Sequence, residues 1–142
     1  MQEPTHVQQV CIRQLFEIYG NQHDVEGCTP LFAEDAVIHF NGSGPLNFEG
    51  YKQVGYAFLA GFPDIKATIL DQFEGNGKVA SRVRWSGTHT GEFNGIPATG
   101  RPFQNEDITI DHVVDGQIKE RWTIGDLLSM MQQLGIIPAP GA

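Results

Sequence analysis

Apolar residues recur along this chain at two periods, and the switches between them predict its elements. Val7, Val10, Cys11, Gln14, Leu15 and Ile18 keep a spacing of about 3.6 residues, with Phe16 and Tyr19 widening the same face, which predicts a helix from near Thr5. Gly20 and Asn21 interrupt it. A short second helix over residues 24–32 is limited by Gly27 and Pro30. Residues 36–40 (AVIHF) read as a strand, closed by the loop Asn41-Gly42-Ser43-Gly44-Pro45. Residues 48–59 read as a helix with Val54, Ala57 and Phe58 along its spine, ending by Gly61.

Beyond Phe62-Pro63-Asp64 the period falls to two. Ile65, Ala67, Ile69, Asp71 and Phe73 share one parity, and Gly75-Asn76-Gly77 forms a tight turn. Val79, Ser81, Val83, Trp85, Gly87 and His89 then alternate against Lys78, Ala80, Arg82 and Arg84. After an excursion rich in Gly and Pro over residues 92–102, a long strand over residues 103–114 reaches the Asp115-Gly116 turn. In the next strand Ile118, Glu120, Trp122, Ile124 and Asp126 fall on one parity, with Lys119, Arg121 and Thr123 on the other. From Leu127 the helical period returns through Met130, Met131 and Leu134, and Gly135 stops it. Helices first, then long antiparallel strands, then a closing helix predict an α+β fold spanning 1–142 as a single domain. A curved sheet closed on one side by helices encloses a cone suited to a small apolar ligand. The tail after Pro138 is expected to be loose.

Composition narrows the partners. Only nine Lys and Arg stand against seventeen Asp and Glu, without a basic cluster, which argues against a nucleic-acid surface. No apolar run approaches the roughly 20 residues of a membrane helix. The opening MQEPTHVQQ lacks a basic segment followed by an apolar one, so a cytoplasmic protein is expected. Cys11 and Cys28 have no paired-ligand spacing and read as buried small hydrophobes.

Two groups stand out as candidate chemistry. Asp126 lies at a strand-to-helix junction near Trp122, a place where an apolar setting can raise a carboxylate pKa and fit it for proton transfer. Asp is equally a favoured N-cap, a role that needs a lowered pKa, and both readings stand on the residues alone. A deep, dry pocket around Asp126 would favour an enzyme, and a solvent-exposed cap a binding module. His112 shares its parity with Ile108, Ile110 and Val114, so it is either a satisfied core histidine or a pocket histidine exchanging protons with Asp126. His39 and His89 also fall on strands, while His6 and His23 read as surface residues. No HxH, HxxxH or HExxH spacing supports a metal site. No nucleophile elbow, phosphate loop or dinucleotide fingerprint is present either. Phe40, Phe58, Trp85, Phe93, Phe103 and Trp122 are available to line a cavity, although single aromatics are more often core.

The series Phe62-Pro63-Asp64, Arg84-Trp85, Gly87-Thr88-His89-Thr90-Gly91, Gly95-Ile96-Pro97 with Thr99-Gly100, Asp115-Gly116, Trp122, Asp126 and Gln133-Leu134-Gly135 resembles the SnoaL-like polyketide (ester) cyclases of the NTF2-like superfamily. The specific words cover about the last 80 residues; the N-terminal half agrees in its pattern of elements. The resemblance implies a cone-shaped α+β barrel, a homodimer or larger assembly, and no metal or organic cofactor. It implies an intramolecular aldol-type ring closure on a small, apolar, polyketide-like carbonyl compound. Asp126 is matched to the acid/base and His112 to its assisting histidine. His89 is expected to aid the oxyanion, with Trp122, Phe40, Phe58, Trp85, Phe103 and Tyr19 around the substrate. The same superfamily hosts isomerases, dehydratases, epoxide hydrolases and non-catalytic ligand-binding modules, which remain the alternatives.

Overall fold

The computed structural model describes residues 6–139. Helix α1 (His6–Leu15) runs directly into a π-helical turn, Phe16–Asn21, where the sequence pattern predicted one continuous helix with a break at Gly20. A 3₁₀ turn, Glu26–Leu31, holds Pro30 and accounts for the brief second helix. Strand β1 (Phe32–Phe40) precedes α2 (Phe48–Gly61), which is capped by Asn47 accepting the Gly50 N–H at 2.8 Å. Four strands follow: β2 (Lys66–Gly75), β3 (Lys78–Thr88), β4 (Pro102–Val114) and β5 (Gln117–Gly125). Helix α3 (Leu127–Gln133) closes the order. The helix start at Thr5, the side chain of His6 and the end of the tail lie outside the described residues.

The strands form one curved sheet in the order β1-β5-β4-β3-β2, antiparallel except for the parallel β1–β5 pair. One core cluster sits between α1 and the sheet, built on Ile12, Phe16, Ile38, Val79, Val83 and Ile118. A second, around Phe62, Phe93, Phe103, Met130 and Leu134, seats α3. The Gln133 side chain fastens that helix by hydrogen-bonding both backbone groups of Gln104, each at 2.9 Å. Cys11 and Cys28 are buried free thiols. Among the described residues no helix is long and apolar enough to cross a membrane.

Two bulges decide which side chains face the concave side. Leu70 is an extra residue on β2, between the Ile69–Val83 and Asp71–Arg82 pairs. The parity expected to run from Ile65 to Phe73 therefore breaks, and Phe73 stands 68% exposed on the outer face. Lys119 is the extra residue on β5, between the Val113–Ile118 and His112–Glu120 pairs. Ile118, Arg121 and Thr123 consequently point inward, whereas Glu120, Trp122 and Ile124 point outward. On β4 the inward set is Phe103, Asn105, Asp107, Thr109, Asp111 and Val113. Ile108, Ile110, His112 and Val114 take the outer face.

Candidate active site

The concave face of the sheet and the helices above it enclose a cavity of about 110 Å³. This is space for several waters, each needing roughly 10–15 Å³ on the same measure. Helix α2 roofs it with Phe48, Tyr51, Val54 and Phe58. The π-helical turn contributes Phe16 and Tyr19, an instance of π geometry beside a site. Trp85, Phe103 and the end of β1 at Phe40 supply further aromatic wall. Tyr19 donates its hydroxyl to the Gly55 carbonyl at 2.9 Å, tying the turn to α2. Of the expected substrate-facing aromatics, Tyr19, Phe40, Phe58, Trp85 and Phe103 all line this space.

One end of the cavity is polar. Asp107 projects into it from β4 beside Asn105, Thr123 and Arg121. Burial pushes the Asp107 carboxyl up to about 6, against the opposing pull of Arg121. The Trp85 indole N–H faces the carboxylate too loosely to close a hydrogen bond and has no other partner among the described residues. Gly125 lies directly across the β4–β5 pair from Asp107, and a Cβ there would strike the carboxylate. Asn41 fixes this point by accepting the Gly125 N–H at 2.8 Å. Asn105 donates to the Asp126 carbonyl at 3.2 Å, leaving its own Oδ1 unpartnered at the cavity.

Behind Asp107 lies a buried ion pair. Arg121 Nη1 donates to both oxygens of Asp111, at 2.8 and 2.9 Å, with the residues 3% and 0% exposed. Burial raises the Asp111 pKa and Arg121 opposes the rise. Burial works against the guanidinium too, but Asp111 and Tyr51 more than offset it and hold Arg121 charged. Arg121 Nε donates to the Tyr51 hydroxyl at 3.2 Å, and the guanidinium carbon stands 5.2 Å from the Phe16 ring centre.

The polar residues singled out from the sequence lie elsewhere. Asp126 is exposed and caps α3, its carboxylate accepting the Ser129 N–H at 3.0 Å; of its two readings, the geometry is that of the cap. His112 is on the outer face, on the far side of the sheet from the cavity, so it does not meet a cavity carboxylate. Trp122 is also turned outward by the Lys119 bulge and stacks on His39, with ring centres 5.5 Å apart. His39 in turn contacts Glu120 at 2.7 Å. His89 is completely buried but is not in the cavity wall. Its Nδ1 accepts the Thr99 N–H at 3.2 Å, so the glycine-rich words that carry His89 and Thr99 clasp each other. His23 is half-buried against the Ile65 carbonyl at 2.6 Å. Asp107, Asp111, Arg121 and Tyr51 were not singled out from the sequence. The available signal was the polar parity of β4, Asn105-Asp107-Thr109-Asp111, opposite one arginine on the next strand.

Comparison with known proteins agrees with this architecture. The chain is similar to aklanonic acid methyl ester cyclase DnrD of Streptomyces peucetius, at 29% identity over 87% of this chain and 88% of that protein. The solved structure of IdmH from Streptomyces antibioticus matches with a TM-score of 0.80 and 39% identity over 90% of this chain and 98% of that one. A SnoaL-like protein from Jannaschia sp. CCS1 shares the fold at a TM-score of 0.86, with 20% identity over 97% and 99% of the two chains. The family model for SnoaL-like polyketide cyclase matches residues 9–134, and the chain belongs to that family.

Proposed function

We propose that this protein is a polyketide cyclase needing no metal or organic cofactor, and that Asp107 is its acid/base. The observation carrying this reading is a half-buried carboxylate, pushed up to about 6, at the polar end of an otherwise apolar cavity. A group with that pKa is mostly ionised at neutral pH, yet its conjugate acid is strong enough to return a proton. Asp107 removes a proton alpha to an ester carbonyl, and the resulting enolate carbon attacks a ketone folded back within the same molecule. The protonated Asp107 then gives its proton to the new alkoxide. Trp85, Phe58 and Phe103 hold flat rings, and the walls supply orientation and exclusion of water. A polyketide methyl ester, combining the family's description with the methyl ester in DnrD's name, is the substrate we assign. In this reading Asp126 is a helix cap and His112 has no part in the chemistry.

Turnover of aklanonic acid methyl ester by wild type and Asp107→Asn tests the proposal. The variant is expected to lose about 10²–10⁴-fold, the usual weight of a positioned proton-transfer group. Wild-type kcat/KM should climb with pH through about 6, because the base must be unprotonated. Unchanged turnover in Asp107→Asn sinks the assignment. A non-catalytic ligand-binding module is the second reading, favoured by the exposed, capping position of Asp126. It predicts that polyketide esters bind wild type and Asp107→Asn equally and emerge from both unchanged.

We also assign the outer face of the sheet to a second copy of this chain. Ile108, Ile110 and Ile124 lie there on the adjacent strands β4 and β5, with Val114 on β4, Val37 on β1 and Phe73 two strands away on β2, all exposed. Charged and polar pairs border the patch, Arg82 with Asp71 and Glu106 on one side and the His39–Glu120 hydrogen-bonded contact on the other. Apolar surface rimmed by mixed charge is suited to self-association. Light scattering after size exclusion, reading a dimer mass, tests it.

A further inference from the structure

Ionising a carbon acid in this cavity leaves a negative oxygen that must be held, and the wall offers few groups able to hold it. Lys52 is engaged by Glu26 at 3.0 Å and Glu49 at 2.8 Å. Burial raises the pKa of Tyr19 and takes the Cys28 thiol up to about 11, so both stay neutral. Asp107 and Asp111 are acids. Arg121 is therefore the cation available at the polar end, and its hydrogen bonds are unevenly used. Nε and Nη1 are spent on Tyr51 and Asp111, while Nη2 has no hydrogen-bond partner among the described residues. Arg121 is one of the residues lining the cavity, although it is only 3% exposed. The Tyr51 hydroxyl accepts from Arg121, and its own proton finds no acceptor among the described residues.

Resting on the reading of Asp107 as base, we propose that Arg121 Nη2 and the Tyr51 hydroxyl form an oxyanion subsite that binds the ligand as its enolate or phenolate. The charge balance supports this. Before reaction the cluster holds Arg121 positive with Asp107 and Asp111 negative. When Asp107 takes the proton, the C–H bond breaks and an O–H bond forms. The C–H electron pair becomes the enolate double bond, and the carbonyl π pair moves to oxygen. The negative charge leaves Asp107 and appears on the ligand, so the buried net charge is unchanged. Because Asp111 already neutralises Arg121, the subsite matches one delocalised oxyanion better than a phosphate dianion. Asp111 acts through Arg121 as a positioning residue: its two oxygens hold Nη1 and so fix the guanidinium that carries Nη2.

2-Naphthol serves as the probe, since its neutral and ionised forms fluoresce differently and its rings suit the cavity walls. Its ionisation constant is measured free in solution and bound to saturating protein. Bound to wild type, it should ionise about ten- to a hundredfold more readily, the scale of hydrogen bonds to a charged group. Tyr51→Phe, which keeps the ring and the ion pair, should remove about tenfold of that gain. The double variant Arg121→Met with Asp111→Leu, chosen so that no unpaired charge is buried, should remove the gain entirely. Asp107→Asn should keep it or enlarge it, because a competing negative charge is gone. Failure of naphthol to bind wild type, or equal ionisation in wild type and Tyr51→Phe, overturns the subsite. Turnover in Asp107→Asn reports separately: full activity there with the naphtholate shift intact removes Asp107 as base and leaves the subsite standing.

Discussion

Strands β4 and β5 present opposite chemistries on their two faces, and the usual assignment of those faces is inverted. The concave side carries Asp107, Thr109, Asp111, Arg121 and Thr123, the last four of them buried. The convex side carries Ile108, Ile110, Trp122 and Ile124, the last of them 60% exposed. A folding core alone would be served by the reverse arrangement. Buried polar groups and exposed apolar patches are the informative exceptions in a protein surface, and here both occur on one hairpin, one residue apart. The inner exception points to chemistry and the outer one to a partner.

The comparison is broken most severely from the inside. Asp111→Ala leaves Arg121 buried without its carboxylate and should cost about 3–5 kcal/mol in denaturant unfolding, whereas removing both charges together should cost far less. Asp107→Asn should act in the opposite direction. The folded-state pKa of about 6 lies above an unfolded value near 3.9, so ionising Asp107 opposes folding. Wild-type stability therefore falls as pH rises from about 4 to about 6 and stays lower above that. The variant should gain up to about 3 kcal/mol at pH 8 and nothing below pH 4, a stability gain accompanying the loss of turnover. Asp126→Ala should cost about 1 kcal/mol, the loss of a cap, with kcat unchanged. Ile124→Asp on the outer face should shift unfolding by no more than about 0.5 kcal/mol when measured on the monomer. It should nevertheless halve the mass seen by light scattering, with naphthol binding intact. A variant that stays dimeric removes the outer face as the interface.

Much of the fold was legible in the sequence because it depends on period and punctuation. The helix read at residues 48–59, the Asp115-Gly116 turn and the long strand at residues 103–114 follow from local preferences that tertiary packing did not overrule. Tyr19, Phe40, Phe58, Trp85 and Phe103 reached the cavity because large aromatics there lie on the helical face or strand parity that the core selects. The polar site was not legible for a specific reason. A bulge has no strong sequence signature, and each one reverses the inward set beyond it. Counting parity through Lys119 placed Trp122 with Ile118 and Arg121 on the opposite parity. Apolar parity on β4 then favoured His112, when the patch formed by Ile108 and Ile110 is on the convex side. Asp126 was seen but ambiguous, since capping and catalysis both select an aspartate before a helix.

Lys119 gives the hairpin something like a reading frame. Were Lys119 taken into the ladder instead of bulging from it, Glu120, Trp122 and Ile124 would turn toward the cavity and Arg121 and Thr123 to the outside, whereas its deletion would leave a regular strand with the present inward set. A single-codon loss at this position would thus spare both faces, while one further residue paired into the ladder would exchange the candidate chemistry for the candidate contact surface. Along this strand, what must be kept is the number of residues held in the ladder, more than the number in the chain.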